Sequence, residues 1–370
     1  MAGGRSRPDV DPLLNGRVSR VSPLAAQPGP VGVPAPPWPA AGGAGPGVML
    51  TGRWEAPFLV DLARTVGVHR RGRGDPSFRV EPSGTVWRTS RTPLGPATLR
   101  VMACGAGAAD GPPIAGPAGG GAEAAGGSTV LAWTWGPGAA WLLASVPGLL
   151  GADDDKTGFQ PAHPVLAEMD RRYPDLRIGR SGRVFEALVP AVLEQKVVGA
   201  EAKRAWRSLM LKFGEPAPGP APAGMRVFPP ARTWARIPSW DWHRAGVESV
   251  RAKTVIGAAR VATRLEEIVA MTPAEADRRL RSLPGIGPWT SAEVRQRACG
   301  DADAVSVGDL HLPGAVGWAL AGQKVDDAGM LELLAPYPGH RHRAARLVVL
   351  SGIHPPRHGP RNAPRDYRAI

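Results

Sequence analysis

Residues 283–290 read LPGIGPWT: two glycines one residue apart, a proline on either side of the pair, then a tryptophan. A plain turn between helices needs one glycine at most. The stretch before it, TPAEADRRLRSL (272–283), opens on Thr272 with Glu275 three residues later, the reciprocal capping arrangement, and stops before Pro284. The stretch after it, SAEVRQRAC (291–299), resumes a helical pattern. The spacing predicts two helices joined by a hairpin. Gly285 and Gly287 open backbone conformations closed to other residues. Amide N–H groups then point outward at the positive end of the second helix, an arrangement suited to a phosphate. The same letters also fit an ordinary tight turn between packed helices.

Charge supports the first reading. The 370 residues carry a net +13, of which +9 falls within residues 181–370, the half that holds the hairpin. Such a balance favours a polyanion, nucleic acid before membrane, although a chain this rich in Arg, Ala, Gly and Pro owes part of it to composition. A phosphate grip would position the protein on nucleic acid without reading bases. Cys104 and Cys299 are the only cysteines, too few for a disulfide framework or a four-cysteine cluster. MAGGRSRPDV lacks the apolar core of a signal peptide, and no apolar run of about 18 residues appears. The expectation is a cytoplasmic, nucleoid-associated protein with no membrane segment, acting as a monomer.

Composition divides the chain. Residues 1–48 are dominated by Pro, Gly and Ala and read as a disordered tail; 105–127 reads as a flexible insert and 354–370 as an irregular basic tail. Between them TVWRTS (85–90), ATLRVM (97–102) and STVLAWTW (128–135) are strand-like, and PFLVDLARTVG (57–67) reads as a short amphipathic helix. From about 160 onward apolar residues recur at helical spacing. The fold class expected is α+β: a small mixed α/β domain over 49–152, followed by an all-α module over 160–353.

LPGIGPWTSAEV followed by AVSVGDLHLP (304–313) resembles the helix–hairpin–helix DNA glycosylase superfamily, and within it the 3-methyladenine DNA glycosylase II branch. FEALVPAVLEQKV (185–197) is similar to that family's segment facing DNA. The resemblance implies Asp309, 22 residues after Gly287, as the catalytic aspartate. It implies Gly285, Gly287 and Thr290 as the phosphate-binding hairpin. Gln195 and Lys196 would lie at the DNA, Lys196 either wedging into the gap left by a flipped base or meeting a phosphate. Bifunctional members carry a lysine two residues after the second hairpin glycine, where this chain has Trp289. The resemblance therefore implies hydrolysis without lyase activity, duplex DNA with damaged bases as partner, and no metal or organic cofactor. A monovalent cation at the hairpin carbonyls is the one ion the family suggests.

A glycosylase extrudes its target nucleotide and holds the base between aromatic walls. Trp289 fits one wall; against a cationic alkylated purine its indole adds about 0.5–2 kcal/mol. Packing between helices is the plain alternative for one of twelve tryptophans. Glu293, one turn on, stands where relatives carry an aromatic, and is either solvated or favours a cationic base. Tyr337 is a further candidate wall, or core. Asp309 would stabilise the oxocarbenium-like sugar or activate water. Asp301 and Asp303 read as turn residues, and His311 as structural. Two other functions remain: a DNA-binding module without chemistry, and a glycosylase for oxidised or deaminated bases.

Overall fold

The computed structural model describes residues 49–105 and 127–356. The 1–48 tail, nearly all of the 105–127 insert and all but the first residues of the 354–370 tail lie outside that range. Every described residue falls within one compact unit, Ala35–Ile370.

Five antiparallel strands form one sheet in the order β1-β5-β4-β3-β2: β1 Met49–Ala56, β2 Phe78–Val80, β3 Val86–Thr92, β4 Gly95–Gly105 and β5 Ser128–Trp135. The three strands expected from sequence are its centre. β1 and β2 were not expected: β1 follows directly on the Pro/Gly-rich tail, and β2 has only three residues. The helix expected over 57–67 shrinks to α1, Leu62–Thr65, capped by Asp61, with a 3-10 turn over Gly67–His69.

Both faces of the sheet are covered. Val86, Leu99, Val101, Val130 and Ala132 pack under α2 (Ala139–Ala144) and α3 (Val146–Leu149). On the other face Trp87 stacks on Trp135 at 5.5 Å between ring centroids, with Trp133 and Met225 alongside. The burial of both faces explains why the alternation in β3 is only partial.

The helices that follow are α4 Pro164–Arg172, α5 Val184–Leu193, α6 Gly199–Phe213, α7 Ala231–Trp234, α8 Ser239–Arg244, α9 Ser249–Arg260, α10 Ala262–Glu266, α11 Pro273–Arg281, α12 Pro288–Val294, α13 Leu312–Ala321, α14 Asp327–Leu334 and α15 Arg341–Ser351. They enclose two cores. One surrounds α5, every residue of which except Glu186 is buried, and includes Trp206, Phe228, Trp234 and Trp242. The other joins α4, α13, α14 and α15. α12 and the π-helical turn Arg295–Cys299 run on from the hairpin.

The region 160–353 is not all-α. Glu215–Pro216 pairs with Arg226–Val227 as a two-stranded ribbon. Pro216, Pro218, Pro220 and Pro222 forbid a helix there. The ribbon ties helices to sheet: Thr89 Oγ1 donates to Arg226 O at 2.6 Å, Arg91 Nε donates to Phe228 O at 2.6 Å, and Arg88 pairs with Glu186 of α5 at 2.7 Å. The helix expected over 251–269 breaks at Val261. Among the described residues no helix is long and apolar enough to cross a membrane.

α15 is anchored by a buried ion pair. Arg343 and Asp154 are each about 1% exposed at the side chain. Asp154 also accepts from Ile178 N at 2.9 Å, and Arg343 donates to Leu176 O at 3.2 Å. Removing one partner strands the other's charge. Arg343→Met is therefore expected to cost about 3–5 kcal/mol of folding stability, checked by urea unfolding; a loss below about 1 kcal/mol would show that the pair is dispensable.

Candidate active site

The hairpin is held from two sides. Gly285 has φ +86°, and a Cβ there would stand 2.2 Å from Thr254 Oγ1 on α9. Glycine is needed both for the left-handed backbone and for the close seat on α9. Gly287 differs from expectation: its φ of −96° and ψ of −177° suit any residue, and a Cβ would meet nothing within 4 Å. The protein itself does not demand glycine at 287.

From α5's side, Gln195 Nε2 donates to Gly285 O at 2.9 Å and to Thr290 Oγ1 at 2.8 Å. Thr290 is 2% exposed. Both residues brace the hairpin: the Thr290 hydroxyl lies buried on the inward side of α12's first turn, while Gln195 is half-exposed. Lys196 stays exposed with φ +53°, the one non-glycine residue with positive φ among those described. A backbone of this kind costs about 1–3 kcal/mol and persists where its surroundings impose it.

Asp309 sits on a loop fixed by backbone bonds. Gly308, at φ +91°, donates its N–H to both carboxylate oxygens of Asp327, at 3.0 and 3.1 Å. Asp309 Oδ1 accepts from His311 N and Leu312 N, both at 2.8 Å, at the start of α13. Its Oδ2 accepts from Trp289 Nε1 at 3.1 Å. The structure thus joins the two residues singled out after the hairpin glycines, with both carboxylate oxygens accepting hydrogen bonds and Leu310, 81% exposed, beside them.

Two expected pocket residues are placed otherwise. Tyr337 is 5% exposed within the α13–α15 core, tilted against Phe159 at 6.0 Å, and forms no wall with Trp289. Its hydrophobic ring completes the core closed by α15. Glu293 lies one turn from Trp289 as expected, but its charge is already met. Oε2 accepts from Arg297 Nη1 at 2.7 Å, and Oε1 accepts from the Ser306 hydroxyl at 2.7 Å. It is neither a solvated residue nor an uncompensated anion for a cationic base. Asp301 and Asp303 serve as structural ion pairs with Arg295 and Arg341.

Sequence reasoning missed the charged set beyond Glu293. Arg71 pairs with Glu194 at 3.2 Å, and Arg297 Nε donates to Val68 O at 3.3 Å. Burial, then the guanidiniums of Arg88, Arg297 and Arg71, hold His69 well below its usual range. Burial, then Arg346, Arg297 and Arg343, do the same to His342. Only the Glu293–Arg297 spacing of four, a helical ion-pair signature, was available in sequence; Arg71, Asp327 and Arg346 reach the region through the fold. Cys299 is partly buried, its thiol pushed up to about 12 by burial first and then by Asp301.

No known family model matches the chain. It is 30% identical over 155 residues to a probable bifunctional transcriptional activator/DNA repair enzyme AlkA of Mycobacterium tuberculosis, covering 41% of this chain and 30% of that protein. It is 28% identical over 167 residues to a DNA-3-methyladenine glycosylase of Bacillus subtilis, covering 43% and 55%. The chain thus spans about a third and about half of the length of these curated relatives. In fold it is similar to the solved 3-methyladenine DNA glycosylase of Archaeoglobus fulgidus, with a TM-score of 0.61, 17% identity, and 81% of this chain and 98% of that one covered. A Clostridium acetobutylicum 8-oxoguanine glycosylase/lyase bound to DNA gives 0.57 at 12% identity, covering 79% and 91%. The fold is thus similar to that of solved DNA glycosylases, and the sequence relatives include a DNA-3-methyladenine glycosylase, the branch that the LPGIGPWT stretch resembles.

Two outcomes follow from this geometry. Gly285→Ala is expected to lose about 1–3 kcal/mol by urea unfolding, and Gly287→Ala much less; equal losses would contradict the seat described. For pH, His69 and His342 have folded values below the ordinary histidine value, so the unfolded chain binds their protons first. Their contribution is complete above pH 6.5, the ordinary value, and is lost as pH falls below it. Unfolding free energy should drop between pH 7.5 and 5, by up to about 1.4 kcal/mol per unit for each ring; a flat profile would refute buried, neutral rings.

Proposed function

We propose that the chain is a DNA glycosylase that removes alkylated bases from duplex DNA by hydrolysis, with Asp309 as its catalytic carboxylate. The observation that carries this reading is the Trp289 Nε1–Asp309 Oδ2 bond, 3.1 Å long. It sets a flat aromatic surface, able to stack a flipped base, against a carboxylate able to face the sugar of the same nucleotide.

The chemistry divides among the chain's own groups. As the bond between C1′ and the base nitrogen breaks, its electron pair leaves with the base and positive charge grows on the sugar. Asp309, held by two backbone amides and the indole, supplies fixed negative charge to that centre without reorganising. Water oxygen then bonds C1′ and gives up a proton. A cationic alkylated base leaves neutral and needs no acid, so a single carboxylate suffices. Trp289 occupies the position that carries a lysine nucleophile in bifunctional relatives, so no Schiff base forms there and strand cleavage is not expected.

The hairpin serves as the phosphate grip. A Cβ at Gly287 would meet open space, so the missing side chain helps only something arriving from outside, such as a phosphate. In the last turn of α11, Arg279 and Arg281 pair with Glu267 and Asp277, and exposed Arg278 adds local positive charge. Exposed Lys196, on its constrained turn beside Gln195, is the residue offered to the gap left by the flipped nucleotide. In this reading the sheet-bearing 49–152 and the helical 160–353 act as the two parts of one glycosylase.

The test is base release from a methylated duplex. Asp309→Asn should slow release by about 10²–10³-fold while duplex binding persists, and wild type should leave abasic sites that break only with alkali. Binding by both proteins with release by neither would favour a non-catalytic binder. Release confined to 8-oxoguanine or deaminated bases would favour the oxidised-base reading.

A further inference from the structure

Asp309 is framed on one side by its own carboxylate, which accepts from two amides at the start of α13 and from Trp289. The stretch leading into it, residues 304–308, has no such frame. Its backbone bonds stay local: Val307 N donates to Val305 O at 2.9 Å, and Asp309 N donates to Ser306 O at 3.2 Å. Among the described residues, the hydrogen bonds that tie 304–308 to other elements come from three side chains, Gln296, Glu293 and Asp327.

Gln296 makes two of these bonds. It lies in the π-helical turn Arg295–Cys299, closed by Gly300 N donating to Arg295 O; such breaks in helical register recur at functional sites. From there its buried Nε2 donates to Ala304 O at 2.7 Å and to Ser306 Oγ at 2.9 Å. The Ser306 hydroxyl passes its own hydrogen to Glu293 Oε1 at 2.7 Å, and Glu293 is held by Arg297. Ser306 is therefore bonded as donor and as acceptor, and its backbone oxygen receives the amide of Asp309. A buried network satisfied in this way is rigid. On the opposite flank, half-buried Asp327 in the first turn of α14 takes the Gly308 N–H on both carboxylate oxygens, one residue before Asp309.

We propose that Gln296 and Asp327 are positioning residues for base release, a clamp on either flank of 304–308 that sets where the Asp309 carboxylate stands relative to C1′. The inference rests on the glycosylase reading and deepens it. Fixed charge stabilises the growing cation only where it is already aimed, and a misplacement of about 1 Å can cost on the order of 10²-fold in rate. Opening one clamp while the other holds should cost less, about tenfold. Neither side chain bonds the hairpin or Lys196, so duplex binding should not follow the rate.

The experiment measures single-turnover release from the methylated duplex at increasing enzyme excess, with spontaneous loss subtracted, so that the maximal rate and the half-saturating enzyme concentration are read separately. Gln296→Met, similar in length but without a donor, and Asp327→Ala should each lower the maximal rate about tenfold and move the half-saturating concentration less than about twofold. Asp327→Asn, which keeps one oxygen for the Gly308 N–H, should recover most of the Asp327→Ala loss. Placed in an Asp309→Asn background, either substitution should cost less than about twofold, because the group being positioned is gone. An unchanged maximal rate, or a loss seen only in the half-saturating concentration, overturns the inference. So does the same tenfold loss in both backgrounds, which marks a merely structural role. If Gln296→Met does not fold, the Asp327 variants decide by the same criteria. These outcomes leave the glycosylase reading standing, whereas absence of release by wild type removes that reading and the inference with it.

Discussion

One side-chain amide holds the site together. Gln195 gives both hydrogens of its NH₂ group to the hairpin, one to Gly285 O and one to Thr290 Oγ1. It thereby locks the turn after α5 to a segment 90 residues further along. α5 is nearly wholly buried, so the hairpin inherits the rigidity of the largest core. Trp289 follows on the helix this bond orients, and Asp309 is met by Trp289. Without the amide, the join between the end of α5 and the hairpin would be left to packing, which tolerates small slides; hydrogen bonds to a carbonyl and a hydroxyl do not.

The charges are organised on a different principle from the apolar parts. Buried guanidiniums are expensive unless they are partnered, and most of those here are. Arg343 meets Asp154, Arg88 meets Glu186, Arg71 meets Glu194 and Arg297 meets Glu293. Three of these four pairs join segments more than 90 residues apart. They specify how sheet, α5 and α15 sit together, a role apolar contacts fill less selectively.

Legibility in the sequence followed the range of the interaction that decides each feature. The capping box of Thr272 and Glu275, the hairpin and the core strands rest on neighbours a few residues apart, and each formed where the local pattern placed it. The Asp309 position rested on family spacing and stands against Trp289. Features that depend on distant partners were hidden. Thr290 looked free until Gln195 claimed its hydroxyl; Tyr337 looked like a pocket wall until Phe159 and α15 enclosed it. β1 was obscured because its partner, β5, lies on the far side of the insert.

β4 and β5 end opposite one another, Gly105 against Ser128, in continuous antiparallel register. Whatever chain joins them has to leave and return within about 5 Å, and closing a longer connection costs only logarithmically more. The strands are anchored by their own ladder and by β1 and β3 on either side, so the sheet does not depend on what lies between 105 and 128. That makes this edge a natural port: segments can be lengthened, shortened or exchanged for a whole foreign module over evolutionary or laboratory time, while the machinery at the other end of the chain goes on unaware of the change.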